Sequence, residues 1–151
     1  MTKSKRLKPI IKIAAEREQL AVKQFLEVQR VHQEREARLA ELMSYKEEYQ
    51  SKFFSSDNTS RSVYQFNDYR AFLQKLDLTI GEQKKLVVAS ESELQAKREI
   101  WLKQREKAQA LEKAVERFVD EERAEENKRE QNDTDERAQR FGQSRIDLDD
   151  V

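Results

Sequence analysis

Turns and tight loops draw on glycine and proline, and this chain has two of the first and one of the second in 151 residues. Soluble domains average roughly 7% glycine and 5% proline. A sandwich or barrel needs a turn about every 8–12 residues, and an α/β fold needs loops between all its elements. Three such residues cannot supply them. What remains is long, uninterrupted helix. Charge agrees, since 40% of the residues are Asp, Glu, Lys or Arg and only 36% are hydrophobic. That balance suits helices with a narrow apolar seam and broad solvated faces. Disorder is the competing reading of so polar a chain, but it goes with high net charge and few aromatics. Here 30 basic and 30 acidic residues cancel, and seven Phe, four Tyr and one Trp are present.

No apolar run approaches the ~18 residues of a membrane span, and the first residues lack the apolar stretch of a secretory signal. Without cysteine there is neither a disulfide nor thiolate chemistry. A soluble, cytoplasmic protein is expected. The neutral total conceals an asymmetry: Lys3, Lys5, Arg6, Lys8 and Lys12 open the chain with no acid among them, whereas residues 120–137 hold nine acids against four bases.

One segment reads as a break, SSDNTSRS at residues 55–62. Ser62 and Gln65 have capping-box spacing, in which hydroxyl and amide satisfy free N–H groups at a helix start. Pro9 fits the first turn of a helix, where its missing N–H costs nothing. The chain then divides into a single antiparallel coiled coil over residues 1–130 and a polar flexible tail over 131–151. Helix one spans about 9–54, the loop 55–62 and helix two about 63–129, the helices being roughly 70 Å and 100 Å long. Gly81 weakens helix two by about 1 kcal/mol without ending it.

Alternating steps of four and three residues select Ala14, Glu18, Ala21, Phe25, Val28, His32, Arg35, Leu39, Leu42, Lys46, Tyr49 and Phe53 in helix one, with Leu7 and Ile11 continuing backwards. In helix two they select Phe66, Tyr69, Leu73, Leu76, Ile80, Gln83, Val87, Ser90, Leu94, Lys97, Trp101, Gln104, Ala108, Leu111, Val115 and Phe118, and most positions in the two series are apolar. This sustained repeat is a coiled-coil signature. A short loop makes the two stripes antiparallel neighbours. Phe53 then faces Phe66, Tyr49 faces Tyr69, Leu42 faces Leu76, Leu39 faces Ile80 and Phe25 faces Leu94. Middle layers are polar, with Arg35 opposite Gln83 and His32 opposite Val87, which lowers stability but fixes register. Trp101 falls opposite Glu18. Helix two outruns helix one, so Val115, Phe118 and Val119 are expected to lack an intramolecular partner.

No enzyme site is legible. His32 is the only histidine and takes a seam position. A lone seam histidine carries no catalytic-triad motif, and without cysteine or a second histidine a metal cluster around it lacks its usual nitrogen and sulfur ligands. Acid pairs such as Glu47 with Glu48 read as solvated faces, and no catalytic residue, metal or cofactor is expected. Neutral charge and a short basic run argue against nucleic acid. The functional signal is apolar residues off the seam: Met43, Tyr45, Phe54, Tyr64, Phe72 and Leu78, all near the loop. Two helices have no second layer to bury them, and clustered exposed apolar groups mark a partner surface. The plainer alternative is that seam aromatics spread sideways over them, or that the chain dimerises. Phe72, Leu76, Thr79 and Gln83 share one helical face.

Residues 42–53, LMSYKEEYQSKF, and residues 66–83, FNDYRAFLQKLDLTIGEQ, resemble the FliJ family of flagellar export proteins. The family's Y-x-x-E-Y element is matched by Tyr45, Glu48 and Tyr49. Its N-x-Y-x-x-F-type element is approximated by Asn67, Tyr69 and Phe72, with Leu76 and Ile80 following. The position of Trp101 and the chain length also fit. The resemblance implies an all-α, long antiparallel two-helix coiled-coil hairpin like the gamma stalk of rotary ATPases. It also implies a non-enzymatic part of the flagellar type III export apparatus, cytoplasmic and peripheral at the inner face of the cell membrane. The implied partners are the hexameric export ATPase FliI and the export-gate protein FlhA, with FliH and export chaperones beside them. Under the resemblance, Phe72, Leu76, Thr79 and Gln83 contact the gate and Tyr45 and Tyr49 form an exposed patch. Val115, Phe118 and Val119 enter the ATPase ring. Alternatives are a holdase for unfolded export substrates, a stalk of a virulence-type secretion system, and a homodimeric coiled coil.

Overall fold

A computed structural model describes residues 2–55 and 62–149. It holds two helices, α1 (Lys3–Ser55) and α2 (Val63–Asp149), and no strand among the described residues. The fold is an all-α helical hairpin. Apart from Ser55 and Ser62, the predicted loop lies outside the described residues. Among them no helix is long and apolar enough to cross a membrane. The chain divides into two compact units, one of Met1–Arg17 with Arg105–Val151 and one of Glu18–Gln104. In each, a stretch of α1 packs on a stretch of α2.

The helix boundaries follow from local chemistry. At the start of α2, Gln65 N–H donates to Ser62 Oγ at 3.2 Å and Ser62 N–H donates to Gln65 Oε1 at 3.3 Å, the predicted reciprocal cap. The start of α1 differs from the sequence expectation. The helix begins at Lys3, so Pro9 lies inside it rather than in its first turn. Two anchors hold the turns before the proline. Thr2 caps them, its carbonyl accepting Arg6 N–H at 3.2 Å and its hydroxyl accepting Lys5 N–H at 3.4 Å. Glu122 of α2 accepts Ser4 N–H at 3.2 Å. The far end differs too, because α2 continues through Asp149 where helix two is predicted to stop near residue 129. Glu125 with Arg129, Asp133 with Arg137, and Glu136 with Arg140 stand at the i,i+4 spacing that supports a helix without a tertiary partner. Every side chain from 123 to 146 is exposed.

In the unit of Glu18–Gln104, the seam is the predicted one. Every seam position from Glu18 to Phe53 and from Tyr69 to Gln104 is buried or half-buried, while Phe66 is exposed. Leu42, Leu76 and Ile80 form the core cluster, with Leu39 and Phe72 packed against it. Large rings also reach diagonally along the seam. Phe25 stacks on Trp101 with centroids 5.5 Å apart, so the tryptophan finds an aromatic partner besides the predicted Glu18 layer. The polar layers are satisfied across the pair. Gln83 Nε2 donates to Arg35 O at 3.0 Å, and Arg35 Nη1 donates to Leu86 O at 3.2 Å. His32 is buried, its Nδ1 2.7 Å from Ser90 Oγ, and Ser90 in turn donates to Val87 O at 2.9 Å.

In the other unit, the extra turns of α1 change one expectation. Val115, Phe118 and Val119 are half-buried rather than unpartnered. Lys3 Nζ lies 5.5 Å from the Phe118 ring centroid, and Ser4 Oγ donates to Glu122 Oε2 at 2.7 Å. A helix one that starts at Pro9 could not reach these residues.

Two stability changes test this packing. Gly81 sits in α2 without a positive φ, and a Cβ added to it would meet nothing within 4 Å. Gly81→Ala is expected to stabilise the chain by about 0.4–1 kcal/mol, read as a raised urea midpoint. Ser90→Ala strips the buried His32 of its cross-seam partner and should cost about 1–3 kcal/mol, whereas adding His32→Leu to it should recover much of the loss.

Candidate interaction surfaces

In the unit of Glu18–Gln104, the residues flanking the loop build an aromatic ladder. Tyr69 is its buried centre, with Phe53 stacked on it at 3.8 Å between centroids and Tyr49 at 5.5 Å. Phe72 extends the ladder outward, 4.5 Å from Tyr49 and 6.1 Å from Tyr45, meeting the second ring edge-on. Such offset and edge contacts hold rings in fixed orientations beyond what their burial alone provides. The ladder thins toward solvent: Tyr45 is 50% exposed and Phe54 71%. Met43, Tyr64 and Leu78 are exposed as the off-seam pattern predicts, while Phe72 is half-buried.

The predicted face of α2 separates into two kinds of position. Leu76 is 7% exposed and belongs to the core cluster. Gln83 is half-buried and spends its amide on Arg35 O. Thr79 is exposed, with its hydroxyl turned back onto Lys75 O at 3.0 Å. Phe72 bridges the two kinds, packed on the core cluster and in contact with Tyr45. Beside it runs a groove of about 400 Å³ lined by Leu42, Leu76, Tyr45, Arg38 and Glu41. Its floor is apolar and its rim carries one charge of each sign. Sequence periodicity points to Phe72, Leu76 and Tyr45 but misses Arg38 and Glu41. On α1 these look like any solvated pair, and only the register places them next to Leu76. A cross-helix ion pair closes the neighbourhood, Lys46 Nζ to Asp77 Oδ1 at 2.6 Å.

In the other unit, Val115, Phe118 and Val119 share one side of α2 with Glu122, under the first turns of α1. Thr2, Lys3 and Arg6 face Phe118, Glu121 and Glu125 across a cavity of about 260 Å³. Opposite charges meet here, as the asymmetry of the chain anticipates.

Two arrangements look chemical and are not. Glu36, His32 and Ser90 are linked in series, with His32 Nε2 2.9 Å from Glu36 Oε1. Ser90 is 1% exposed and its hydroxyl is donated to Val87 O, so it presents no nucleophile to a substrate. Arg30 bridges Glu27 and Glu34, and its hydrogen bonds and charge hold the Glu27 carboxyl below its ordinary range. All three are exposed, and the cluster is a solvated helix face. Among the described residues, no group of acids and histidine is placed to hold a metal ion.

Comparison with known proteins agrees with the motif reading. Neither the curated proteins nor the solved structures give a match to this chain. The family described as Flagellar FliJ protein matches residues 3–145, which takes in both helices and both surfaces. The chain therefore belongs to the flagellar FliJ family and is a component of the flagellar type III export apparatus.

Proposed function

We propose that this chain is the stalk of the export apparatus, binding the export ATPase FliI through the unit that contains Val115, Phe118 and Val119, and the export gate FlhA through the groove at Phe72. The observation that carries the second contact is the groove itself. Leu42 and Leu76 form an apolar floor, Tyr45 lines its wall with the Phe72 ring packed edge-on against it, and Arg38 and Glu41 place charge at its rim. An aromatic anchor beside a shaped apolar floor is the usual make-up of a binding hot spot. Association with the membrane is then indirect, through the gate. FliH and export chaperones have further exposed helix faces available to them.

The chain acts without chemistry of its own. It changes the ATPase or the gate only by binding one state of either better than another, and the shift it produces is limited by that difference. Thr79 and Tyr45 touch a partner directly in this reading. Leu76 and Gln83 set the shape beneath them.

Phe72→Ala combined with Tyr45→Ala is expected to weaken binding to the soluble domain of the gate protein about tenfold or more, with helicity by circular dichroism unchanged. Unaltered affinity in a titration would remove the gate assignment. Deleting residues 115–151 should abolish stimulation of ATP hydrolysis by the purified export ATPase, and full stimulation by the shortened chain would refute the ATPase contact.

A further inference from the structure

The turns of α1 that precede Pro9 lie over the part of α2 assigned above to the ATPase. Glu122 grips them at one residue: one carboxylate oxygen accepts Ser4 N–H at 3.2 Å and the other accepts the Ser4 hydroxyl at 2.7 Å. Lys3 stands over the Phe118 ring. Lys3, Lys5, Arg6 and Lys8 make this segment basic, and Glu121, Glu122 and Glu125 make the α2 face beneath it acidic.

Two features make the segment separable from the helix that follows. Of residues 2–8, only Ser4 is buried and only Leu7 is half-buried, so polar contacts rather than apolar area hold it down. Pro9 has no N–H, so the helical bond to the Lys5 carbonyl is missing, and its ring crowds that same carbonyl. The helix is weakest where the segment joins it. Residues 2–8 can unwind up to that point while the seam from Ile11 onward stays paired.

We infer that residues 2–8 form an electrostatic strap that covers Phe118 and occupies Glu122. A partner presenting a basic surface to Glu121, Glu122 and Glu125 displaces it. This rests on the reading that the unit binds the export ATPase, and it adds an autoinhibitory step to that contact. A strap closed about nine-tenths of the time reduces the apparent affinity about tenfold, and removing it restores the difference.

The test uses the full chain, a chain lacking residues 2–8, and Ser4→Ala, which loosens the strap without touching the acidic face. Deletion is expected to tighten ATPase binding about tenfold in a titration, and Ser4→Ala to tighten it by a smaller factor. Amide exchange at residues 5–8 should accelerate in Ser4→Ala alone and when poly-lysine is added to the unaltered chain as a basic probe. Exchange indifferent to poly-lysine overturns the strap, whatever the ATPase does. Equal or weaker ATPase binding by the deleted chain overturns it as well, while leaving the ATPase contact standing. If neither chain binds the ATPase, the contact is refuted and the strap loses its inhibitory role, even if exchange shows that it opens.

Discussion

Two helices share one seam, and everything else in this protein follows from having no second layer. A side chain on α1 is buried only if it faces α2, and the reverse holds for α2. Among the described residues the buried apolar side chains are accordingly few: Ala21, Leu42, Tyr69, Leu76, Ile80 and Ala108. Helices do not persist in water on propensity alone, and tertiary packing normally supplies most of their stability. Here that packing is a single file of layers, reinforced near the loop by stacked rings. Exposure of large apolar groups is then unavoidable wherever the sequence places them off the stripe.

Much of this was legible in the sequence because a coiled-coil stripe is a strong and redundant signal. Each seam residue from Ala14 to Phe53 and from Tyr69 to Phe118 is sheltered in the structure, polar members such as Glu18, Arg35 and Lys97 included. The capping pair Ser62 and Gln65 was equally readable. The start of α1 and the end of α2 were not, for identifiable reasons. Pro9 is a common first-turn residue, and nothing in the local sequence reveals that Thr2 and a glutamate more than a hundred positions away hold an earlier start. Past residue 129 the chain has no apolar stripe at all. Acids and bases at i,i+4 spacing favour helix there, a signal that periodicity of hydrophobic residues cannot register.

The surfaces were half legible. Off-stripe aromatics point to the neighbourhood of the groove, but burial sorts its members differently from sequence spacing. Leu76 shapes the floor from within the core cluster, while Arg38 and Glu41 complete the rim from the other helix. In the terminal unit, the opposite charges of the two chain ends were evident from composition. Their contact, through Ser4 and Glu122, depends on turns of helix ahead of Pro9 that no local signal marks.

The hydrogen-bonded layer of His32 and Ser90 has a bearing on how such a protein passes a signal. An apolar layer tolerates displacement, because one leucine packs on another nearly as well a turn away. This layer does not. A slip of one heptad would set His32 beside Gln83 or Lys97 and separate it from Ser90 (2.7 Å in the present register). Telescoping of one helix along the other, by which some coiled coils carry information over distance, would cost this pair its His32–Ser90 hydrogen bond. Under the proposed stalk role, tilting, twisting or release of a segment outside the locked layers would leave that hydrogen bond intact.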